Sequence, residues 1–308
     1  MDYKQHIIDE LTNKTKLKPN SIKLYSIRLN NLYKDLGGDF NNKHLSNKIT
    51  ILKYINKLKN LDSKVATYNA IIKIIPDGEL KDFYSNERIV INQAKFEKYK
   101  NNMKNEKFIE YNKLLEGSPP PTYEDNSIKN ILLEFISYIS VRHPIRLSLS
   151  DMEIIHQKKD ADDVNKNYIL VTQLDIRFIM NNFKNVASMG QQVISITDKT
   201  EEDEIRKYYK YMKRRLKEQN DTMKYFLYNH YAGKIIPVSS STVYSRILSK
   251  QLLKTTGKKI TINDIRKSME SHIISQDGYN KLSNKEKDKL HHRLLHSTHS
   301  ATAYYNLI

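Results

Sequence analysis

Three consecutive prolines, Pro119 to Pro121, divide this chain and constrain it more than any other feature. Each proline fixes its backbone and removes a donor, so the stretch EGSPPPTYED at 116–125 cannot continue a helix and favours extended chain. On either side the hydrophobic pattern is mainly helical. We therefore expect two domains: a helical one over 1–115, a proline-rich linker over 116–125, and a second, mixed domain over 126–308. With 308 residues there is enough chain for two cores.

The first half reads as helices only. In KPNSIKLYSIRLNNLYKDLGG, residues 18–38, Ile22, Tyr25, Leu29, Leu32, Tyr33 and Leu36 recur at helical spacing. Asn20 or Ser21 can cap the start, and Gly37–Gly38 ends the run. Ser46–Leu61 repeats the pattern, and Ser63–Ile75 is a third helix stopped by Pro76. Gln93–Leu115 reads as a long charged helix. The second half opens on an apolar helix, Ser127–Val141. Short strands are expected at Met152–Ile155, Asn167–Thr172, Asp175–Asn181 and Val193–Ile196. Helices follow at Glu201–Lys217, Ser241–Thr256, Ile262–Ser275 and Asn284–Leu295. The fold class is mostly α with a small β-sheet.

Composition narrows the chemistry. Cysteine is absent, which excludes disulfides, thiolate zinc sites and cysteine nucleophiles. No apolar run is long enough to span a bilayer, and MDYKQHIIDE lacks the apolar core of a signal peptide. An intracellular protein that is neither secreted nor membrane-bound is expected. The formal charge of +17 favours a polyanionic partner, most simply nucleic acid. An AT-rich genome would also enrich Lys, Asn and Ile, so charge alone does not decide the matter. Only eight glycines occur, with no phosphate-binding glycine loop among them, so no nucleotide cofactor is expected.

Four separated stretches carry candidate functional residues. Arg146 lies in VRHPIRLSLSDMEII, between the apolar helix and a strand. Lys184 lies in NNFKNVASMGQQVISI, in a hairpin-like region. Arg266 lies in ITINDIRKSMESHI, beside a stripe of Ile262, Ile265, Met269 and Ile273, with Asn263 three residues earlier on the same side of the helix. His296 opens HSTHSATAYYNL, and Tyr305 follows it by nine residues, with Tyr304 adjacent. Taken singly, each cation reads more simply as an ordinary surface residue, and the tyrosine pair as a closing helix packing its aromatics. His291, His292, His296 and His299 are close in sequence, but no acidic or cysteine partner lies at ligand spacing, so no metal is expected.

Taken in order, these residues resemble the tyrosine recombinases, or phage-type integrases, over almost the whole chain. NSIKLYSIRLNNLYKDLG looks like the opening helix of that family's core-binding domain. PIRLSLSDMEI is similar to the first-arginine box in the branch found in large DNA viruses and mobile elements. NNFKNVASMGQQVISI looks like that branch's lysine hairpin, INDIRKSMESHI resembles the second-arginine box, and LLHSTHSATAYYNL resembles the closing box. The resemblance implies a helical core-binding domain followed by an α+β catalytic domain. It also implies metal-free cleavage and rejoining of DNA through a phosphotyrosine bond. Tyr305 would be the nucleophile and Tyr304 its packing neighbour. Arg146 and Arg266 would grip the non-bridging phosphate oxygens, which suits the guanidinium fork. Lys184 would protonate the leaving 5′-oxygen, and His296 would donate to a phosphate oxygen.

The implied partners are double-stranded DNA, a homotetramer on two DNA sites, and accessory DNA-bending proteins. The implied location is wherever the target DNA is: host nucleus or cytoplasm, viral factory or virion. A type IB topoisomerase-like enzyme and a decayed, DNA-binding descendant are the alternatives. Three departures bear on them. Asn263 stands where the family commonly has His or Lys, which puts acid–base work there in doubt. Leu295 stands where a glycine precedes the closing histidine. The stretch SQDGYNKLSNKEKDKL makes the interval between Arg266 and His296 longer than usual, and the excess is expected to be a loop without chemical meaning. Only three residues follow Tyr305, so docking between subunits would use another element or an exchanged nucleophile segment.

Overall fold

The computed structural model describes residues 4–15, 17, 19–37, 42–102, 108–124, 126–145 and 148–295. They form a mostly helical protein with a small mixed sheet. The chain divides into two compact units, with the break after Asn102.

The first unit holds α1 (Lys4–Lys14), α2 (Pro19–Asp35), α3 (Lys48–Lys57), α4 (Leu61–Ile74) and α5 (Glu79–Asn102). Pro19 occupies the first turn of α2, where its missing N–H costs nothing. The side chains of Asn47 and Asn60 cap α3 and α4 by accepting from Thr50 and Ser63 N–H. Ile7, Leu11, Leu29, Leu32, Tyr33, Ile51, Ile55, Tyr68 and Ile71 close one core. Buried Tyr84 donates to the Leu45 carbonyl at 2.6 Å. Helices α1 and the start of α5 were not expected from the sequence: their apolar residues are too few and too interrupted to show a clear stripe.

The second unit begins before the prolines. Its first helix, α6 (Tyr111–Glu116), buries Tyr111 and Leu114 in the second core. The proline segment then packs along α7 (Ile128–Arg142). The Ser118 and Ser137 hydroxyls pair at 2.8 Å, Arg142 donates to the Ser118 carbonyl, and Tyr123 donates to Glu204 at 2.7 Å. The expected linker at 116–125 is therefore a strap within the second unit, and 108–115 belongs to that unit too. Proline stops a helix but does not by itself separate domains. Two residues beside the prolines, Ser118 and Tyr123, make side-chain bonds inside the second unit.

Helix α7 is the axis of that core, with Phe135 stacked on Tyr208 and edge-on to Phe226. The sheet follows in the expected places: β1 (Glu153–Ile155), β2 (Asn167–Val171), β3 (Ile176–Met180) and β4 (Gln192–Ser195), in that spatial order. β1 runs parallel to β2, and the other pairs are antiparallel, with Ile169 opposite Phe178 and Phe178 opposite Ile194. The turn after β3 contains α8 (Val186–Met189). Then come α9 (Lys199–Glu218), a hairpin of β5 (Tyr228–Tyr231) and β6 (Lys234–Pro237), α10 (Ser241–Thr256), α11 (Ile262–Ser275) and α12 (Asn284–His292). The hairpin was not expected; its strands are four residues each, too short to show a period. Among the described residues no helix is long and apolar enough to cross a membrane.

Candidate functional site

Helix α11 starts on a capping box, in which Thr261 and Asp264 satisfy each other's exposed backbone and side-chain groups. That box fixes the helix phase. Ile262 and Ile265 face the core, and Arg266 beside them is fully buried. Its guanidinium spans two distant segments. Nη1 donates to the Pro144 carbonyl and Nη2 to the Leu294 carbonyl, each at 2.7 Å. A buried cation must be compensated, and two charge-assisted bonds to main-chain oxygens supply part of that compensation. The sequence placed Arg266 at the helix edge; the structure encloses it, because the chains leading to residues 146 and 296 close over it.

Lys184 is exposed in the turn between β3 and β4, as the hairpin reading expected. The next residue, Asn185, donates through Nδ2 to the Leu295 carbonyl at 3.3 Å. The base of this hairpin is fixed by amides. Asn167 Nδ2 donates to the Asn182 carbonyl and Asn182 N–H donates back to Asn167 Oδ1, both at 2.8 Å. This side-chain rung extends the β2–β3 ladder one step past the Asn167–Met180 pair. Asn181 and Asn182 also donate to the Asp163 and Asn165 carbonyls.

Asn263, three residues before Arg266, is exposed and opens onto a polar cleft of about 380 Å³. Ser148, Asp151, Asn167, Asn182 and Ser241 also line it. Burial pushes the Asp151 carboxyl above its usual range, against a smaller opposing effect from Ser150. Asn263 and Arg266 thus have opposite surroundings, one open and one closed.

Leu295 explains one departure noted in the sequence. Its φ is +57°, in the left-handed region that favours glycine. Its side chain is nevertheless buried in the main core, and its N–H donates to the His292 carbonyl at 2.8 Å. Burial of a leucine, about 2 kcal/mol, outweighs a backbone cost of about 1 kcal/mol. A leucine can therefore occupy a position whose backbone suits glycine.

Arg146, His296, Tyr304 and Tyr305 lie outside the described residues, as does His299. The structure brings together the backbone of their neighbours: Pro144, Leu294 and Leu295 with Arg266 and Asn185. His291, expected to be close to other histidines, is fully buried. Its Nδ1 faces Glu270 Oε2 at 2.5 Å and its Nε2 faces the Tyr279 hydroxyl at 2.7 Å. Sequence reasoning missed this cluster. The available sign was Glu270, a carboxylate one turn after Arg266 on the same helix. Among the described residues no group of three or more His, Cys, Asp or Glu side chains could hold a metal ion.

A second surface borders this site. The outer side of α10 presents Ser241, Thr242, Ser245, Arg246, Ser249 and Lys250, and with Lys259 it lines a groove of about 670 Å³. Among the described residues no carboxylate lines that groove. Compared with known proteins, the chain matches no family model, no curated protein and no solved structure.

Proposed function

We propose that this chain is a site-specific DNA recombinase of the tyrosine recombinase type, serving integration or excision of a viral or mobile element. The observation that carries the reading is the bridge made by Arg266. One guanidinium ties the backbone two residues before Arg146 to the backbone two residues before His296. The neighbour of Lys184 joins the same backbone at Leu295. Backbone close in sequence to three other candidate residues thus meets at Arg266 and Leu295, which supports the reading. The groove along α10, lined by serine, threonine, arginine and lysine side chains, adds a surface suited to DNA phosphates, supplying hydroxyl and cationic donors.

In this reading the Tyr305 phenol loses its proton and its oxygen attacks a backbone phosphorus. A Tyr–O–P bond forms as the P–O5′ bond breaks, and Lys184 gives its proton to the departing 5′-oxygen. Positive charge favours the phenolate, since an unperturbed tyrosine ionises only near pH 10. Arg146 and His296 stabilise the charge accumulating on the phosphate oxygens, while Arg266, enclosed with both terminal nitrogens on main-chain carbonyls, supports them by holding the adjoining backbone. The covalent 3′-phosphotyrosine retains the bond energy, so the strand rejoins a new 5′-hydroxyl without ATP. The first unit would be the core-binding domain, and a homotetramer would hold two duplexes.

The test is a nicked duplex carrying a candidate site from the element's own termini, run on a denaturing gel after incubation with the protein. Wild type and Tyr304→Phe should trap a covalent adduct, and Tyr305→Phe should not. An adduct that survives Tyr305→Phe would move the nucleophile; no adduct from wild type on any such duplex would remove the catalytic reading.

A further inference from the structure

The stretch between α11 and α12, expected to be an idle loop, contributes Tyr279 to a buried chain of three polar side chains. After α11 ends, Gly278 turns the backbone with φ of +90°, a conformation open to glycine. This brings Tyr279 back against α11, 5% exposed. Ser283 and Glu286 then form a capping box that starts α12. From α12, His291 returns to the same place, between Tyr279 and Glu270, edge-on to the tyrosine ring. His291 and Glu270 are both fully buried. With Glu270 ionised, the carboxylate only accepts, and His291 Nδ1 donates to it. Nε2 then accepts from the Tyr279 hydroxyl. Burial, and then the charge of Glu270, push the Tyr279 phenol above its usual range, which keeps that hydroxyl protonated and able to donate.

We infer that Glu270, His291 and Tyr279 form a positioning relay that sets the last turn of α12 against Arg266, and so aims the backbone entering His296. Glu270 lies one turn after Arg266 on α11. His291 lies three residues before Leu294, whose N–H donates to the His291 carbonyl at 2.9 Å and whose carbonyl receives Arg266. The relay and the Arg266 bridge therefore fix the same turn from its two ends. Hydrophobic packing alone would hold α12 near α11 but would permit it to slide or rotate. Two directional bonds on one imidazole permit neither. This inference rests on the recombinase reading, because its consequence is for strand cleavage.

The experiment uses the full chain with Tyr279→Phe, Glu270→Gln and Glu270→Leu. It reads three quantities: the single-turnover rate of adduct formation on the nicked duplex, the affinity for the same duplex, and amide hydrogen exchange at Leu294 and Leu295. Tyr279→Phe removes one oxygen and keeps the ring, so the fold is retained. The expected result is a rate lowered about a hundredfold, the usual consequence of a displacement near 1 Å, with duplex affinity within about twofold of wild type. Exchange at Leu294 and Leu295 should quicken while that at Ile247 and Leu248 in α10 does not. Glu270→Gln, which keeps an acceptor for Nδ1, should restore most of the rate that Glu270→Leu loses.

An unchanged rate with Tyr279→Phe would overturn the inference. Equal losses of rate and affinity would also overturn it, as would equal effects of Glu270→Gln and Glu270→Leu. If wild type gives no adduct, the recombinase reading fails by itself. The relay is then judged on exchange alone, and unaltered exchange at Leu294 and Leu295 in Tyr279→Phe would dismiss it.

Discussion

The guanidinium of Arg266 holds the main-chain oxygen of Leu294 at 2.7 Å, two residues before His296. Its other terminal nitrogen holds Pro144, two residues before Arg146. A side chain expected to meet substrate therefore also organises the backbone that carries other candidate residues. Binding and stability should be coupled at this position.

That coupling predicts a large stability loss on shortening Arg266. Arg266→Ala leaves the Pro144 and Leu294 carbonyls without these donors and opens a cavity, so urea unfolding should show a loss of about 3–5 kcal/mol. Arg266→Lys retains the charge but lacks the fork needed to reach both oxygens, and it should lose roughly half as much. A surface arginine would show less than about 0.5 kcal/mol for either change.

Leu295 predicts an inverted ranking of two substitutions. At an ordinary buried leucine, glycine is worse than alanine by about 1 kcal/mol. Here alanine keeps the strain of a Cβ at φ of +57° and glycine relieves it. Both variants should lose about 2–4 kcal/mol from the missing side chain. Leu295→Gly should be at least as stable as Leu295→Ala in thermal unfolding. Alanine clearly ahead would show that the backbone at this position is unstrained.

Tyr111 predicts an alkaline limit. Burial, only partly offset by Arg142, pushes its phenol up to about 12, and the hydroxyl donates to the Val141 carbonyl at 3.1 Å. A phenol raised in the folded state binds its proton more tightly there than in the unfolded chain. Its contribution is complete below pH 10 and is lost as pH rises from about 10 through about 12. The shift corresponds to about 2–3 kcal/mol. Near neutrality wild type should exceed Tyr111→Phe by about 1 kcal/mol. Above pH 12 the order should reverse. Urea midpoints for the two proteins across that range make the check, and a constant difference would refute the assignment.

The α10 groove predicts salt-dependent DNA binding. Arg246→Glu and Lys250→Glu should each weaken binding at low salt. Neutralising either with glutamine should lower the slope of log affinity against log salt by about one, whatever the duplex sequence. Fluorescence anisotropy over a salt series measures this. Slopes unchanged in both variants would show that the duplex lies elsewhere on the protein.

Much of the secondary structure was legible without the fold. The four sheet strands and the helices α7, α9, α10 and α11 fall within a few residues of where hydrophobic period and capping residues put them. Those signals are local: a stripe at helical spacing, a Thr or Ser cap, an alternating run. Lys184 in its hairpin and Asn263 one turn before Arg266 were legible for the same reason. The proline run misled because a helix stop and a domain boundary look alike in sequence. What separates them is whether Ser118 and Tyr123 find partners, and they find Ser137 and Glu204, 19 and 81 residues onward.

The sequence by itself determined most of the helices and strands and excluded thiol chemistry, and its two arginines, lysine, histidine and tyrosine in order prompted the proposed reaction. Tertiary structure alone decided that Arg266 is enclosed, that Pro144 and Leu294 share it, and that Leu295 takes a glycine's backbone. It also decided that Tyr279 and His291 turn an apparent loop into part of the core. Each of these depends on which distant group supplies a buried polar atom with its partner. Hydrophobic spacing along a chain records which face is buried, but a hydrogen bond between residues 122 or 28 positions apart leaves no period to read.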